Sequence, residues 1–383
     1  MLIGGFYSVD GGLLCAEPTG EDFDLRLASE GGYDLKVYTN NGRTASVYAM
    51  KHCADRMRHK KVLLPDYLCL SVISAVEWAG IDYDFYRVQA DLTVDLADLS
   101  AKLADDVGMI YLIHYFSVPQ PLEVVQAVKE MAATRDILVM EDITQALFSK
   151  DGERMGFGDY IVASTRKWFP MTDGGLLAIK DGTCGKLQTL EPAYDESVYQ
   201  ELLISVVRMQ YEMNPQMDKA PYLRFEKAAN ASRYQDLTPR RMTAASRTIL
   251  FNTDSDVLMK KRIENYRYLY EQLTGLEEIE ILSRPLDSGG DYVPFGLTLL
   301  AEDRDGLYRH LVERNVIPEI QWLLPVEYYE PGEDAVYLSA HNLMLQCDQR
   351  QSDLLRRNEA KERRNADNDA LKFEMLKAWG HGA

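Results

Sequence analysis

The chain has 383 residues, of which 46% are hydrophobic and 27% charged, as in ordinary soluble globular proteins. This length predicts about two or three domains. The formal net charge of −18 argues against a nucleic-acid-binding protein, because such a protein needs a basic surface. The five cysteines are scattered and form no CxxC pair, so we expect neither a disulfide framework nor a metal site.

The N-terminus does not resemble a secretory leader. MLIGGFYSVDGG lacks a basic stretch followed by an apolar one, and no run in the chain approaches 18 apolar residues. We therefore expect no membrane span, and a cytoplasmic location fits the cysteine usage best.

The first half of the chain alternates between apolar strands and helices. Residues 1–40 are Gly-rich and acidic, and they predict an irregular N-terminal segment. A helix is expected to begin near Thr44, since Val47, Met50 and Ala54 recur at helical spacing. Later strands such as IYLIHY and ILVME are apolar on both faces. This pattern predicts an α/β fold with a mainly parallel sheet flanked by helices, and a ligand site at the carboxyl ends of its strands.

The second half has a different pattern. Charged helical stretches follow residue 185, and MKKRIENYRYLYEQL (259–273) predicts an amphipathic helix. From about residue 275, strands and helices indicate a small α+β domain. The predicted organisation is therefore an N-terminal segment (1–40), a large domain (41–245) and a small C-terminal domain (246–383) with a charged helical tail.

Polar motifs stand at three predicted strand ends: NNGRTAS (40–46), MEDITQA (140–146) and STRKWFPMTDGG (164–175). Taken singly, the first motif fits an ordinary helix start, the second a solvent-exposed acid and the third a surface lysine. The first motif can also bind phosphate at a helix N-terminus. In the second, we expect Asp142 to face a pocket and Glu141 to face solvent. The third motif contains Lys167.

Together, the three motifs match the needs of an enzyme that uses pyridoxal 5′-phosphate (PLP). The cofactor's carbonyl needs a lysine amine for a Schiff base, its pyridine nitrogen needs a carboxylate, and its phosphate needs N–H and hydroxyl donors. Lys167, Asp142 and the NNGRTAS loop are the candidates for these roles.

These motifs resemble those of the DegT/DnrJ/StrS family of PLP-dependent aminotransferases, which mostly aminate keto sugars attached to nucleotides. NGRTA resembles the family's phosphate loop, VMEDITQAL its Glu-Asp signature and GDYIVASTRKWFPMTDGGLLAI its lysine segment. The resemblance covers most of residues 35–350. It implies an aspartate-aminotransferase-like fold (PLP fold type I), a homodimer, and PLP as cofactor.

Site roles follow from the resemblance. It implies that Lys167 forms the Schiff base and moves a proton, that Asp142 pairs with the pyridine nitrogen, and that Gln145 lies near the ring hydroxyl. Tyr67 is the candidate for stacking on the ring. The residues implied to bind the cofactor phosphate are Gly42, Arg43, Thr44 and Ser164.

Three departures from the family pattern concern the phosphate. The spacing from the Gly158-Asp159 pair to Lys167 is about two residues shorter than in typical sugar enzymes of the family, which concerns Ser164. Arg43 replaces a small residue in the phosphate loop. Pro239 stands where the family often has an asparagine that reaches across the dimer, so Arg240 or Arg241 would make that contact, or it is absent.

The leading functional hypothesis is a ping-pong transaminase that moves an amino group from a glutamate-like donor to a keto sugar nucleotide. Other PLP chemistry on an amino acid, such as a lyase or desulfurase reaction, is a second hypothesis. A desulfurase needs a reactive thiol, and Cys347 is more suited to packing. A PLP-binding protein without turnover is the third.

Overall fold

The computed structural model describes residues 3–4, 7–8, 12, 32–33 and 35–349. Within the last range it omits 59, 181, 184, 186, 193–195, 215–217, 219, 233–235, 284–285, 287–291 and 315. The predicted helical tail and most of the predicted N-terminal segment lie outside the described residues.

The strands of the described chain fall into three sheets. In chain order they are β1 (Ile3–Gly4), β2 (Leu35–Thr39), β3 (Lys61–Pro65), β4 (Asp82–Tyr86), β5 (Val107–Ile113), β6 (Leu138–Asp142), β7 (Tyr160–Ala163), β8 (Gly175–Ile179), β9 (Glu191–Pro192), β10 (Arg240–Arg241), β11 (Ile279–Ile281), β12 (Gly296–Ala301), β13 (Val316–Ile317) and β14 (Asn342–Gln346). Across the largest sheet, neighbouring strands follow the order β4-β3-β5-β6-β7-β8-β2-β10-β9.

Helices alternate with the strands in the first half of the chain and come in pairs farther along. They are α1 (Gly42–His52), α2 (Leu70–Ala79), α3 (Leu96–Lys102), α4 (Leu122–Arg135), α5 (Glu196–Met213), α6 (Ala220–Ser232), α7 (Ala244–Asn252), α8 (Ser255–Leu273), α9 (Arg304–Glu313) and α10 (Glu333–His341). None of the helices in the described chain is long and apolar enough to span a membrane.

The large sheet has a parallel centre. Strands β4, β3, β5, β6 and β7 run parallel, whereas β8 and then β2 are antiparallel to their neighbours. Every residue of β5 is buried, as expected for a strand covered on both faces. The predicted fold class is therefore confirmed. Strand β2 was missed, because residues 35–39 were expected to be irregular.

The later strands build a smaller unit. Strands β11, β12 and β14 form an antiparallel sheet, and β1 pairs with β13 in parallel. Leucines of β12 and β14 pack with Tyr266 of α8 and Leu307 of α9 in a second apolar core. Helix α8 contains the predicted helix 259–273. The domain boundaries stay a prediction, although β2 lies before residue 41 and belongs to the large sheet.

Glu141 on β6 is buried, contrary to the expectation that it faces solvent. Its carboxylate accepts hydrogen bonds from the backbone N–H groups of residues 156–158 at 2.5–3.0 Å. The ring Nε2 of His114 lies 2.9 Å from the same carboxylate. Because neighbouring residues on a strand point to opposite faces, Glu141 holds the loop before β7 while Asp142 faces the other side.

We expect Glu141→Ala to lower the free energy of unfolding by about 3–5 kcal/mol, because several buried donors would lose their acceptor at once. Denaturant unfolding followed by circular dichroism measures this change. Glu130→Ala, at an exposed position of α4, is the control and should leave stability within about 0.5 kcal/mol of the wild type. Equal stability of the two variants would contradict the anchoring role.

Candidate active site

A cavity of about 470 Å³ lies at the carboxyl ends of the parallel strands. Ile113 at the end of β5, Asp142 at the end of β6 and Val162 near the end of β7 all line it. The N-terminus of α1 closes another side. This is where ligands bind in open parallel sheets, as the sequence predicted.

Lys167 lies in a short 3₁₀ helix, Thr165–Lys167, which directly follows β7. It lines the cavity and is half-buried. Among the described residues its amine makes no hydrogen bond or ion pair, and it lies 6.0 Å from the centre of the Phe295 ring. The position is set by the next residue: Trp168 is fully buried and its indole N–H donates to the Thr144 carbonyl at 2.8 Å. The amine is thus left available for chemistry.

Asp142 presents a carboxylate to the same cavity. The Tyr111 hydroxyl and the Thr144 backbone N–H each donate to it at 2.8 Å. Burial, and then the negative charge of Asp142, raise the pKa of Tyr111 well above its ordinary value. The phenol therefore remains a proton donor at neutral pH and holds the carboxylate in place.

The start of α1 forms a cradle suited to an anion. Asn41 caps the helix by accepting from the Thr44 N–H at 3.0 Å, and Gly42 and Arg43 line the cavity. A Cβ added to Gly42 would lie 3.0 Å from the Cβ of Ser164. Glycine therefore lets the N-terminus of α1 approach Ser164 closely, at a place where the helix dipole favours a negative charge.

Two residues with predicted roles do not line the cavity. The hydroxyl of Thr44 is fully buried and donates to Asn40 Oδ1 at 2.8 Å. Tyr67 is also fully buried, and its hydroxyl donates to the Gln321 carbonyl. Its ring lies 5.5 Å from that of Trp322, which does line the cavity. The phosphate role of Thr44 and the stacking role of Tyr67 stay predictions.

Gln145 connects the large sheet to a segment of the smaller unit. Its side-chain Nε2 donates to Gln321 Oε1 at 2.6 Å, and its Oε1 accepts from the Phe116 N–H at 3.0 Å. Gln321 in turn donates to Glu319 at 2.5 Å. Glu319, Gln321 and Trp322 all line the cavity. Sequence reasoning assigned no role to these three residues.

The same segment is attached to the large sheet a second time. The Tyr329 hydroxyl donates to the Asp66 carbonyl at 2.6 Å, and the Gly332 N–H donates to the buried Asp66 carboxylate at 2.8 Å. The ring of Tyr329 stacks on Phe85 at 3.9 Å. The segment that carries the cavity wall is therefore fixed to the large sheet through Gln321 and again through Tyr329 and Gly332.

The groups around the cavity fit PLP. They comprise an amine without an ion pair, a carboxylate fixed by two donors, and a helix N-terminus packed so closely on Ser164 that a side chain at residue 42 would intrude. The groups that PLP chemistry requires thus stand at the strand ends of an α/β fold.

Residues 8–191 match the model of the DegT/DnrJ/EryC1/StrS aminotransferase family. The matched segment contains all three motifs and the strands β5, β6 and β7, whose ends line the cavity. The family and the enzyme class predicted from the sequence are thus confirmed. No curated protein shows significant sequence similarity to the chain.

Solved structures of this family share the fold. DesI, crystallised in the presence of its TDP-sugar product, is 18% identical, with 94% of this chain and 89% of DesI covered at a TM-score of 0.61. A family aminotransferase from Brucella abortus is 14% identical, with 91% and 87% covered and a TM-score of 0.61. DesV from S. venezuelae is 17% identical, with 82% and 80% covered and a TM-score of 0.56.

We expect Gly42→Val to weaken PLP binding by about tenfold or more, because the branched side chain would displace Ser164 from the cradle. Titration of the apoprotein with PLP, followed by the visible absorption of the bound cofactor, measures the affinity. Ala101→Val, at an exposed position of α3, introduces the same side chain away from the cavity and should bind PLP as the wild type does. An unchanged affinity for Gly42→Val would place the phosphate elsewhere.

Proposed function

We propose that this protein is a PLP-dependent aminotransferase that moves an amino group from a glutamate-like amino acid to a keto sugar nucleotide. The observation that carries the proposal is the joint position of the Lys167 amine, the Asp142 carboxylate and the α1 N-terminus around a single cavity. The family match supports it.

Each of these residues has a defined part in such a reaction. PLP, when bound, supplies the electron sink that lets an amino group change carriers. Asp142, fixed by Tyr111 and Thr144, would keep a proton on the pyridine nitrogen. Lys167, which no anion neutralises among the described residues, would move a proton between the substrate Cα and the cofactor C4′.

The choice of a sugar nucleotide as acceptor rests on family likeness and on charge. The name of the DesI structure refers to a TDP-sugar product of that protein. In this chain, Arg43 and Arg166 both line the cavity. Their positive charge suits an acceptor that carries a diphosphate, beyond the single phosphate of the cofactor.

The structure does not favour desulfurase chemistry at Cys347. This residue is fully buried, and burial raises the pKa of its thiol to about 12. Since the thiolate is the nucleophile, Cys347 would be almost entirely unreactive at neutral pH. Packing remains its role, as the sequence suggested.

We expect Lys167→Ala to slow amino transfer by about 10²- to 10⁴-fold, the usual contribution of a general acid–base group. The rate is measured from the change in cofactor absorption after glutamate is added. Lys150→Ala, which removes an exposed lysine, is the control and should react as the wild type does.

Full transaminase activity in Lys167→Ala would overturn this assignment. If the wild-type protein bound PLP but showed no spectral change with any amino donor, it would be a cofactor-binding protein without turnover. The acceptor is identified by incubating the aminated protein with keto sugar nucleotides and detecting the amine product by mass spectrometry.

A further inference from the structure

Thr144 is half-buried, lines the cavity and contacts three separate parts of the candidate active site. Its backbone N–H donates to the Asp142 carboxylate at 2.8 Å, and its carbonyl accepts from the Trp168 indole N–H at 2.8 Å. Its hydroxyl oxygen accepts from the Ser164 backbone N–H at 3.1 Å. One residue therefore connects the acid, the turn that bears the lysine and the anion cradle.

Only the third of these contacts depends on the side chain of Thr144. The other two use its backbone N–H and carbonyl, which nearly every residue type offers. A valine at this position would keep both backbone contacts and the shape of the side chain, but it would offer the Ser164 N–H no acceptor. The threonine hydroxyl is therefore the part of this residue that distinguishes it at the site.

The hydrogen bond continues the contact between two chain segments past the end of the sheet. Strands β6 and β7 pair up to Asp142 and Val162. The Ile143 N–H then donates to the Val162 carbonyl at 3.0 Å, and after it the Ser164 N–H donates to the Thr144 hydroxyl oxygen. The position of Ser164 relative to the acid of β6 thus depends in part on one side chain.

Ser164 is the part of the anion cradle that this hydrogen bond holds. A Cβ added to Gly42 would lie 3.2 Å from the Ser164 backbone nitrogen, so the α1 N-terminus packs against the atom that donates to Thr144. Ser164 lines the cavity, and its hydroxyl, which makes no hydrogen bond with any described residue, is not closed off from solvent. This hydroxyl can donate to an anion at the helix start, where the helix dipole favours negative charge.

We propose that Thr144 is a positioning residue for the cofactor phosphate. Its hydroxyl oxygen holds the Ser164 N–H, and so keeps the Ser164 hydroxyl beside the α1 N-terminus at a fixed separation from the Asp142 carboxylate. A ligand with a phosphate at one end and a ring nitrogen at the other needs both partners at that separation. This inference rests on the binding of PLP in the proposed function, and it adds a residue that acts on the phosphate through Ser164.

Titration of the apoprotein with PLP and, separately, with pyridoxal tests this role. Pyridoxal keeps the aldehyde and the ring nitrogen but lacks the phosphate, and the visible absorption of the bound molecule measures both affinities. We expect Thr144→Val to weaken PLP binding by about tenfold, as for the loss of one buried hydrogen bond, and to leave pyridoxal binding within about twofold of the wild type. A general loosening of the fold would weaken both by the same factor.

Two further variants isolate the hydroxyl oxygen, and a third is the control. Thr144→Ser keeps the hydroxyl and should bind PLP within about threefold of the wild type. Thr144→Ala differs from the serine variant by that one oxygen, so it should show the phosphate-selective loss even if the valine variant does not fold. Thr134→Val removes an exposed hydroxyl that bonds only within α4, and it should bind both molecules as the wild type does.

The proposal is overturned if folded Thr144→Val or Thr144→Ala binds PLP as tightly as the wild type, if the affinities for PLP and pyridoxal fall equally, or if Thr144→Ser does not restore PLP binding. A wild type that binds PLP no more tightly than pyridoxal would also overturn it.

This failure is distinguishable from that of the transaminase proposal. A phosphate-selective loss in Thr144→Val, in a protein that transfers no amino group, would keep the role of Thr144 and reject the reaction. Amino transfer by a protein whose PLP affinity does not depend on the Thr144 hydroxyl would do the reverse.

Discussion

The site depends on the close approach of the α1 N-terminus to two other backbone segments. Gly42 lies against Ser164, and a Cβ on Gly175 would lie 2.1 Å from the Asn41 carbonyl oxygen. The Gly174 N–H also donates to the Asn40 carbonyl at 2.8 Å. These contacts place the anion cradle beside the turn that bears the lysine. The parallel strand order then brings the acid of β6 to the same edge, so three distant parts of the chain meet around one cavity.

The regular parts of the fold could be predicted because their signals are local. Buried parallel strands such as β5 are continuous apolar runs, and α8 shows helical periodicity. Strand β2 could not be found in this way, since its pairing partner β8 lies far along the chain. The burial of Glu141 was also missed. Alternation along a strand separates two acids onto opposite faces, but it does not reveal that a loop covers one of those faces.

The positions of several site residues could also be predicted. Lys167, Asp142 and Gln145 line the cavity because each directly follows or ends a strand of the parallel sheet. Trp322, which lines the cavity, was missed. It comes from a segment that reaches the site only through tertiary packing, and it stands in no motif with a recognisable phosphate or lysine pattern.

The surroundings of Lys167 separate the stability of the fold from the chemistry. Its neighbour Trp168 fills the core and holds the turn, while the lysine side chain itself has no hydrogen-bonded partner among the described residues. Little of the folding free energy thus depends on the amine. This position can consequently be exchanged to give a folded protein without the amine. If the proposed reaction holds, complexes with true substrates would persist in that protein long enough for structure determination.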